Sequence, residues 1–105
     1  LSSVRATDAV LDYAVRLCEE TRAHSMVEMG ISPRGIAALV RMARACAILR
    51  ERNYMIPEDV QSVFLDVCAH RLVLRPQARV EGVSAADVLT EILRRVQPNA
   101  MPQSV

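Results

Sequence analysis

The segment Gly30-Ile31-Ser32-Pro33-Arg34 concentrates the residue types in this sequence best placed to do chemistry. Ser32 is a natural helix N-cap, and Pro33 suits the first helical position, where an N–H has no intrahelical partner to lose. Arg34 then falls in the first turn, beside unpaired backbone N–H groups and the positive end of the helix dipole. Such a corner favours a phosphate, and a guanidinium can bond two phosphate oxygens at once. Arg41 lies seven positions further on, about 20° away around the helix, and so points the same way. Ala38 and Ala45 share that face and are expected to leave it open to another surface. On spacing alone, the plainer alternative is a solvated arginine on an amphipathic helix.

Other chemistry is harder to assemble. His24 and His70 fall at opposite ends of different helices, and no G-x-S-x-G surrounds Ser32. Glu19-Glu20 and Glu58-Asp59 are adjacent pairs, whose side chains diverge by about 100° on a helix. They read as a solvated face and a charge cluster at a helix N-terminus, and His70-Arg71 as an electrostatic cap at a helix C-terminus. All thirteen basic residues are Arg. The absence of Lys excludes Schiff-base chemistry and a complete G-x-x-x-x-G-K-[ST] phosphate loop, and the three glycines, Gly30, Gly35 and Gly82, cannot compose G-x-G-x-x-G. The main part of any nucleotide site therefore lies outside this chain. Cys18, Cys46 and Cys68 are odd in number and widely spaced, unlike a disulfide framework or a zinc site. They read as reduced, buried small hydrophobes of a cytosolic protein, with no metal site.

Four helices are expected to position these residues. Residues 1–6 read as an incoming linker, and the helical domain as 7–97. Helix one runs from Asp8 to His24 with Thr7 as N-cap, burying Val10, Tyr13, Ala14, Leu17, Cys18 and Thr21 at the spacing of one face. A loop over 25–31 follows, with Gly30 available for a positive φ. Helix two opens at Ser32-Pro33-Arg34 and continues to about Arg52, with Ile36, Leu39, Val40, Ala43, Ala47 and Ile48 inward. Pro57-Glu58-Asp59 starts helix three, which buries Val60, Val63, Phe64, Val67 and Cys68 and fades near His70-Arg71. Leu72-Val73-Leu74 and Ala78-Arg79-Val80 read as extended segments around Pro76, where a small strand pair can form. Ser84 and Asp87 make an acidic variant of the capping box and open helix four, Ala85 to about Val96. The tail over 98–105 is polar and Pro-containing and is expected to be disordered.

The fold class is thus all-α, a small four-helix bundle. At 105 residues the chain is one domain's worth, and its 24% charged content argues against disorder. No apolar run approaches the roughly 18 residues of a membrane span. No signal peptide is visible, and a chain that begins at Leu1 reads as part of something longer. A net charge of +1 argues against a general nucleic-acid binder. A histone-like module is compatible with the Ile56-Pro57-Glu58-Asp59-Val60 link, but Tyr13, Tyr54 and Phe64 are better placed as core than as base-stacking platforms. A plain helical protein-interaction bundle is the further alternative.

An ordered set of motifs carries a family resemblance across nearly the whole length. Tyr13-x-x-Arg16-Leu17 with Thr21-Arg22 is followed by Gly30-x-Ser32-Pro33-Arg34. Next come Arg52-Asn53-Tyr54-Met55-Ile56-Pro57-Glu58-Asp59-Val60, His70-Arg71-Leu72 and Glu81-Gly82-Val83. The set resembles the C-terminal lid domain of MoxR-type AAA+ ATPases. The resemblance implies that Arg34 is the lid's sensor-two arginine, reaching the γ-phosphate of ATP held with Mg by a preceding α/β core. Arg34 is thereby the catalytic candidate, and Ser32 and Arg41, from the same helix start and face, are expected beside it on the cofactor side. Neighbouring subunits of a ring and von Willebrand factor A domain proteins are the implied partners, ATP-driven chaperone activity the implied function, and the cytoplasm the implied setting. The chain departs from the family pattern at Gly35, where Ala is usual, and at Glu51, where Gly is usual. Spacing does not decide whether Arg22, Arg41 and Arg71 face nucleotide, core or a neighbouring subunit.

Overall fold

The computed structural model describes residues 4–98, so the expected tail beyond residue 98 lies outside the described residues. Thr7 caps α1 (Asp8–Ala23) by accepting the Val10 N–H at 3.2 Å, and the six inward residues read from the sequence are all buried. Ser32 caps α2 (Pro33–Leu49) through the Gly35 N–H at 3.1 Å. α3 (Pro57–Cys68) opens without a side-chain cap on Ile56; Asp59 instead reaches back to the Ile56 N–H at 2.8 Å. A 3-10 turn, Ala69–Arg71, ends it. The last helix, α5 (Ala85–Arg95), starts in the expected Ser84/Asp87 capping box, with bonds of 3.1 and 3.0 Å. Tyr13, Leu17, Leu39, Phe64, Leu89 and Ile92 form the centre of the core, each worth about 1.5–3 kcal/mol by removal from water.

The segment between α3 and α5 departs from the four-helix reading. Pro76 begins a fifth helix, α4 (Pro76–Glu81), where an extended segment was expected. Pro76 fits the first turn, and Gly82 ends the helix at φ 73°, so that Gly82 N–H reaches Arg79 O and Val83 N–H reaches Ala78 O. The strand pair exists but has other partners. β2 (Val73–Leu74) pairs antiparallel with β1 (Val27–Met29), which lies inside the expected 25–31 loop. Three residues are too few for strand periodicity to show. Gly30 does not take a positive φ; among the described residues only Gly82 and Glu51 do.

Helix α2 ends at Leu49 rather than Arg52, and leaves Ile48 half-exposed rather than inward. The stop is a left-handed turn: Glu51 sits at φ 61°, its N–H bonded to Ile48 O at 2.9 Å, while Arg52 N–H bonds Ala47 O at 2.9 Å. This explains why glycine is the expected residue there, since a side chain in that region costs about 1 kcal/mol or more. Replacing Glu51 with Gly should therefore raise stability modestly, by roughly 0.5 kcal/mol once unfolded-state entropy is subtracted. A higher urea midpoint with unchanged slope is the expected result.

The same turn delivers Arg52 to Asp59. Their contacts are bidentate, Nη1 to Oδ2 at 2.8 Å and Nη2 to Oδ1 at 2.6 Å, and Nη1 also donates to Tyr54 O at 2.9 Å. Asp59 is fully buried, so it is more than one member of a surface charge cluster. Tyr54 is half-exposed with the Arg52 guanidinium 5.6 Å from its ring centre, and is not core. Burial, the largest single influence on Asp59, acts to raise its carboxyl, but the Arg52 fork and the Ile56 N–H outweigh it and hold the group below the usual range. At the other edge of this link, Arg5 N–H bonds Asn53 O at 2.9 Å and Met55 N–H bonds Arg5 O at 2.8 Å.

Candidate functional site

The start of α2 is fixed from below by the last turn of α1. Thr21 is fully buried; its hydroxyl donates to Cys18 O at 2.5 Å and accepts the Ile31 N–H at 2.9 Å. Arg22 Nη2 donates to Ile31 O at 3.3 Å. Both backbone groups of Ile31 are thereby held by α1, and its side chain is buried completely. Gly30 permits this crossing: a Cβ there would lie 2.6 Å from Arg22 Cγ, 2.7 Å from Thr21 Oγ1 and 2.8 Å from the Arg22 backbone nitrogen. Because the obstacle includes helix backbone, Gly30→Ala should destabilise by about 1–3 kcal/mol. A urea titration would show it as a lowered midpoint.

One turn later the chain presents its candidate chemistry. Ser32 occupies the cap and Arg34 the first turn, with Arg34 exposed. Arg41 is also exposed, about 10 Å further along the axis. Neither guanidinium has a hydrogen-bond or ion-pair partner among the described residues. Ser32 has already committed its hydroxyl to the Gly35 N–H. α2 has no acid in its first turn, whereas α1, α3 and α5 carry Asp8, Glu58 with Asp59, and Asp87 there. Its positive end is thus uncompensated from within the helix. Ala38 does not keep this face open as expected: it is buried, 6% exposed, and faces the core.

The other basic candidates are occupied. Arg22 is held to Ile31 O, and Arg71 Nε donates to Val67 O at 3.1 Å. Arg71 also lies along the start of α2, its Cδ 3.4 Å from where a Gly35 Cβ would be. That Cβ would come within 2.6 Å of Ile31 Cγ2, so Gly35 makes room for the buried Ile31 that anchors the segment. The Thr21–Ile31 bond leaves one trace in the sequence, a polar Thr21 in an otherwise apolar stripe.

Histidines and cysteines serve elsewhere. His24 Nε2 meets Glu91 Oε1 at 2.9 Å and Nδ1 accepts the Met26 N–H at 3.1 Å, tying the end of α1 to α5 and to the approach of β1. Cys18 and Cys68 are free thiols, and the Cys18 thiol is pushed up by its hydrogen bond with Cys68 and by burial. Cys46 is only half-buried, against the expectation for it, with Sγ 3.3 Å from Ser62 Oγ. Among the described residues no cluster of His, Cys, Asp and Glu is arranged to hold a metal ion. No helix there is long and apolar enough to cross a membrane.

The chain is similar to several known proteins. Residues 19–92 match the family model of the AAA lid domain. YeaC of Bacillus subtilis is 39% identical over 92% of this chain and 30% of its own length. The chaperone MoxR1 of Mycobacterium tuberculosis is 38% identical over 90% of this chain and 28% of its own. The protein MoxR of Paracoccus denitrificans is 39% identical over 71% of this chain and 26% of its own. A crystal structure of a candidate ATPase from Cytophaga hutchinsonii superposes with a TM-score of 0.87 at 29% identity, covering 93% of this chain and 32% of that one. The chain therefore spans a third or less of the length of these relatives.

Proposed function

The chain belongs to the AAA lid domain family, as a lid of the MoxR kind, and on that footing we propose that it supplies Arg34 to ATP bound by a separate α/β core of the parent protein. The observation that carries this reading is an exposed Arg34, without a partner among the described residues, on an acid-free helix N-terminus that α1 holds rigidly through Ile31. The residues present fit one end of the nucleotide only. Arg34 offers a planar fork to the γ-phosphate, and the chain has no Lys for a phosphate loop. The magnesium ligands and the rest of the nucleotide site belong to the core.

Arg34 would place positive charge where negative charge lies during phosphoryl transfer, and no reorganisation is needed because the helix start is fixed beforehand. Arg41, on the same exposed face, would add positive potential behind it, and Ser32 would keep the turn in register. Since ATP offers this fork a γ-phosphate and ADP does not, lid orientation would differ between the two states. In the parent that difference would drive chaperone-like work on partner proteins, in a ring of neighbouring subunits in the cytoplasm, with von Willebrand factor A domain proteins among the partners.

The test is steady-state ATP turnover by the full-length parent carrying Arg34→Ala, after showing that it folds and assembles normally. A loss of tenfold or more, about 1.4 kcal/mol of transition-state stabilisation, is expected. Unchanged turnover would leave a helical interaction domain with no nucleotide role.

A further inference from the structure

Away from Arg34, β2 and α4 enclose an apolar concavity of about 770 Å³. Leu72, Leu74, Pro76, Val80 and Val83 line it, and the only charged residues on its wall are Arg75 and Arg79. Val80 is 86% exposed and Val73 is 48% exposed. α4 is too short to hide them: Ala78 is the one residue it buries, which turns Val80 outward. β1 and β2 form a two-stranded sheet, so the outer edge of β2 has no strand partner among the described residues. A bare valine beside a sheet edge is a liability unless something covers it.

We infer that this groove docks a short acidic, apolar segment of a partner protein. The apolar floor gives area to alternate side chains of an extended segment, and the unpaired edge of β2 can meet its backbone. The charge on the wall selects its chemistry. Arg79 has no side-chain partner among the described residues. Arg75 spends one nitrogen on Glu28 at 3.1 Å, in a pair about half-exposed on both sides. Such a pair is weak in water, and Arg75 keeps further N–H groups for an incoming carboxylate. Two arginines and no acid on the wall repel a basic segment and attract an acidic one. This docking does not depend on whether Arg34 meets a phosphate.

The test uses the full-length parent and two labelled twelve-residue peptides, one alternating glutamate with leucine and one alternating lysine with leucine, read by fluorescence anisotropy. The glutamate peptide should bind, at least tenfold more tightly than the lysine peptide, and should weaken tenfold or more with Val80→Glu and with Arg79→Glu. ATP turnover should stay within twofold of native in both variants. Equal binding of the two peptides, no binding, or binding that ignores both substitutions would overturn the inference. A Val80→Cys variant guards against other occupants: maleimide should label it readily in the parent alone. A cysteine protected there would mean that the parent's own remaining chain covers the groove. A change of assembly size with Val80→Glu would mean that a second copy covers it. Either result contradicts the partner segment.

Discussion

Replacing Asp59 with Ala should lower stability by about 3 kcal/mol and the melting temperature by roughly 12–24 °C. The carboxylate is fully buried and accepts three hydrogen bonds, two from the Arg52 fork and one from the Ile56 N–H. Its loss leaves a guanidinium facing a void and the Ile56 N–H at the start of α3 without its side-chain acceptor. The pH dependence distinguishes this account from simple cavity formation. Because Asp59 is held below the ordinary carboxylate range, its stabilising contribution is complete above about pH 4 and disappears as pH falls through the lowered value. Arg52→Ala reverses the sign. With the fork removed, burial dominates and raises the Asp59 carboxyl, so that protonation in mild acid relieves the buried charge. The native protein should lose stability on acidification below pH 4, whereas the stability gap between it and Arg52→Ala should narrow as pH falls from 7 to 4. A gap independent of pH would contradict the buried ion pair. Asp87 and Glu91 share the native acid sensitivity. Asp87 is lowered by its bonds with Ser84, and Glu91 by its bond with His24.

In the parent protein, Arg34→Lys should lose nearly as much ATP turnover as Arg34→Ala, tenfold or more. Lysine keeps the charge but offers a compact ammonium in place of a flat fork, and a bidentate contact across a domain boundary depends on the fork's geometry. The comparison separates this role from a general electrostatic one, for which Arg34→Lys would be close to native. Stability is the control: Arg34 is exposed and without partners among the described residues, so both variants should unfold within about 0.5 kcal/mol of native. Arg41→Ala should have a smaller effect on turnover, since about 10 Å of helix separates it from the first turn.

The four longer helices were legible because each carries local signals: Thr7, Ser32, Pro57 and Ser84 at their starts, and apolar residues at helical spacing. What escaped was short or depended on partners remote in sequence. α4 has six residues, too few for periodicity, and β1 becomes a strand only because β2 returns to pair with it. Ile48 fits the apolar stripe of α2 yet is half-exposed in its last turn, beside an exposed Leu49. Helical spacing puts Ala38 near Arg34's face, although its offset of about 40° suffices to turn a small side chain inward. In the candidate site, the cap and the exposed arginine were local and readable. The anchoring of Ile31 by Thr21 and the fork from Arg52 to Asp59 span ten and seven residues, respectively; a polar Thr21 in an apolar stripe marks the first without naming its partner, and no local pattern encodes the second. The unusual Glu51 was readable only as a departure from a family pattern; its φ of 61° supplies the reason.

The central claim is that Arg34 meets the γ-phosphate, and the affinity of the full-length parent for two nucleotides tests it most directly. Calorimetric titration with a slowly hydrolysed ATP analogue and with ADP should be run on the native protein and on Arg34→Ala. The variant should bind the triphosphate at least tenfold more weakly than native and ADP within twofold of native. Equal weakening for both nucleotides, or none for either, would contradict it.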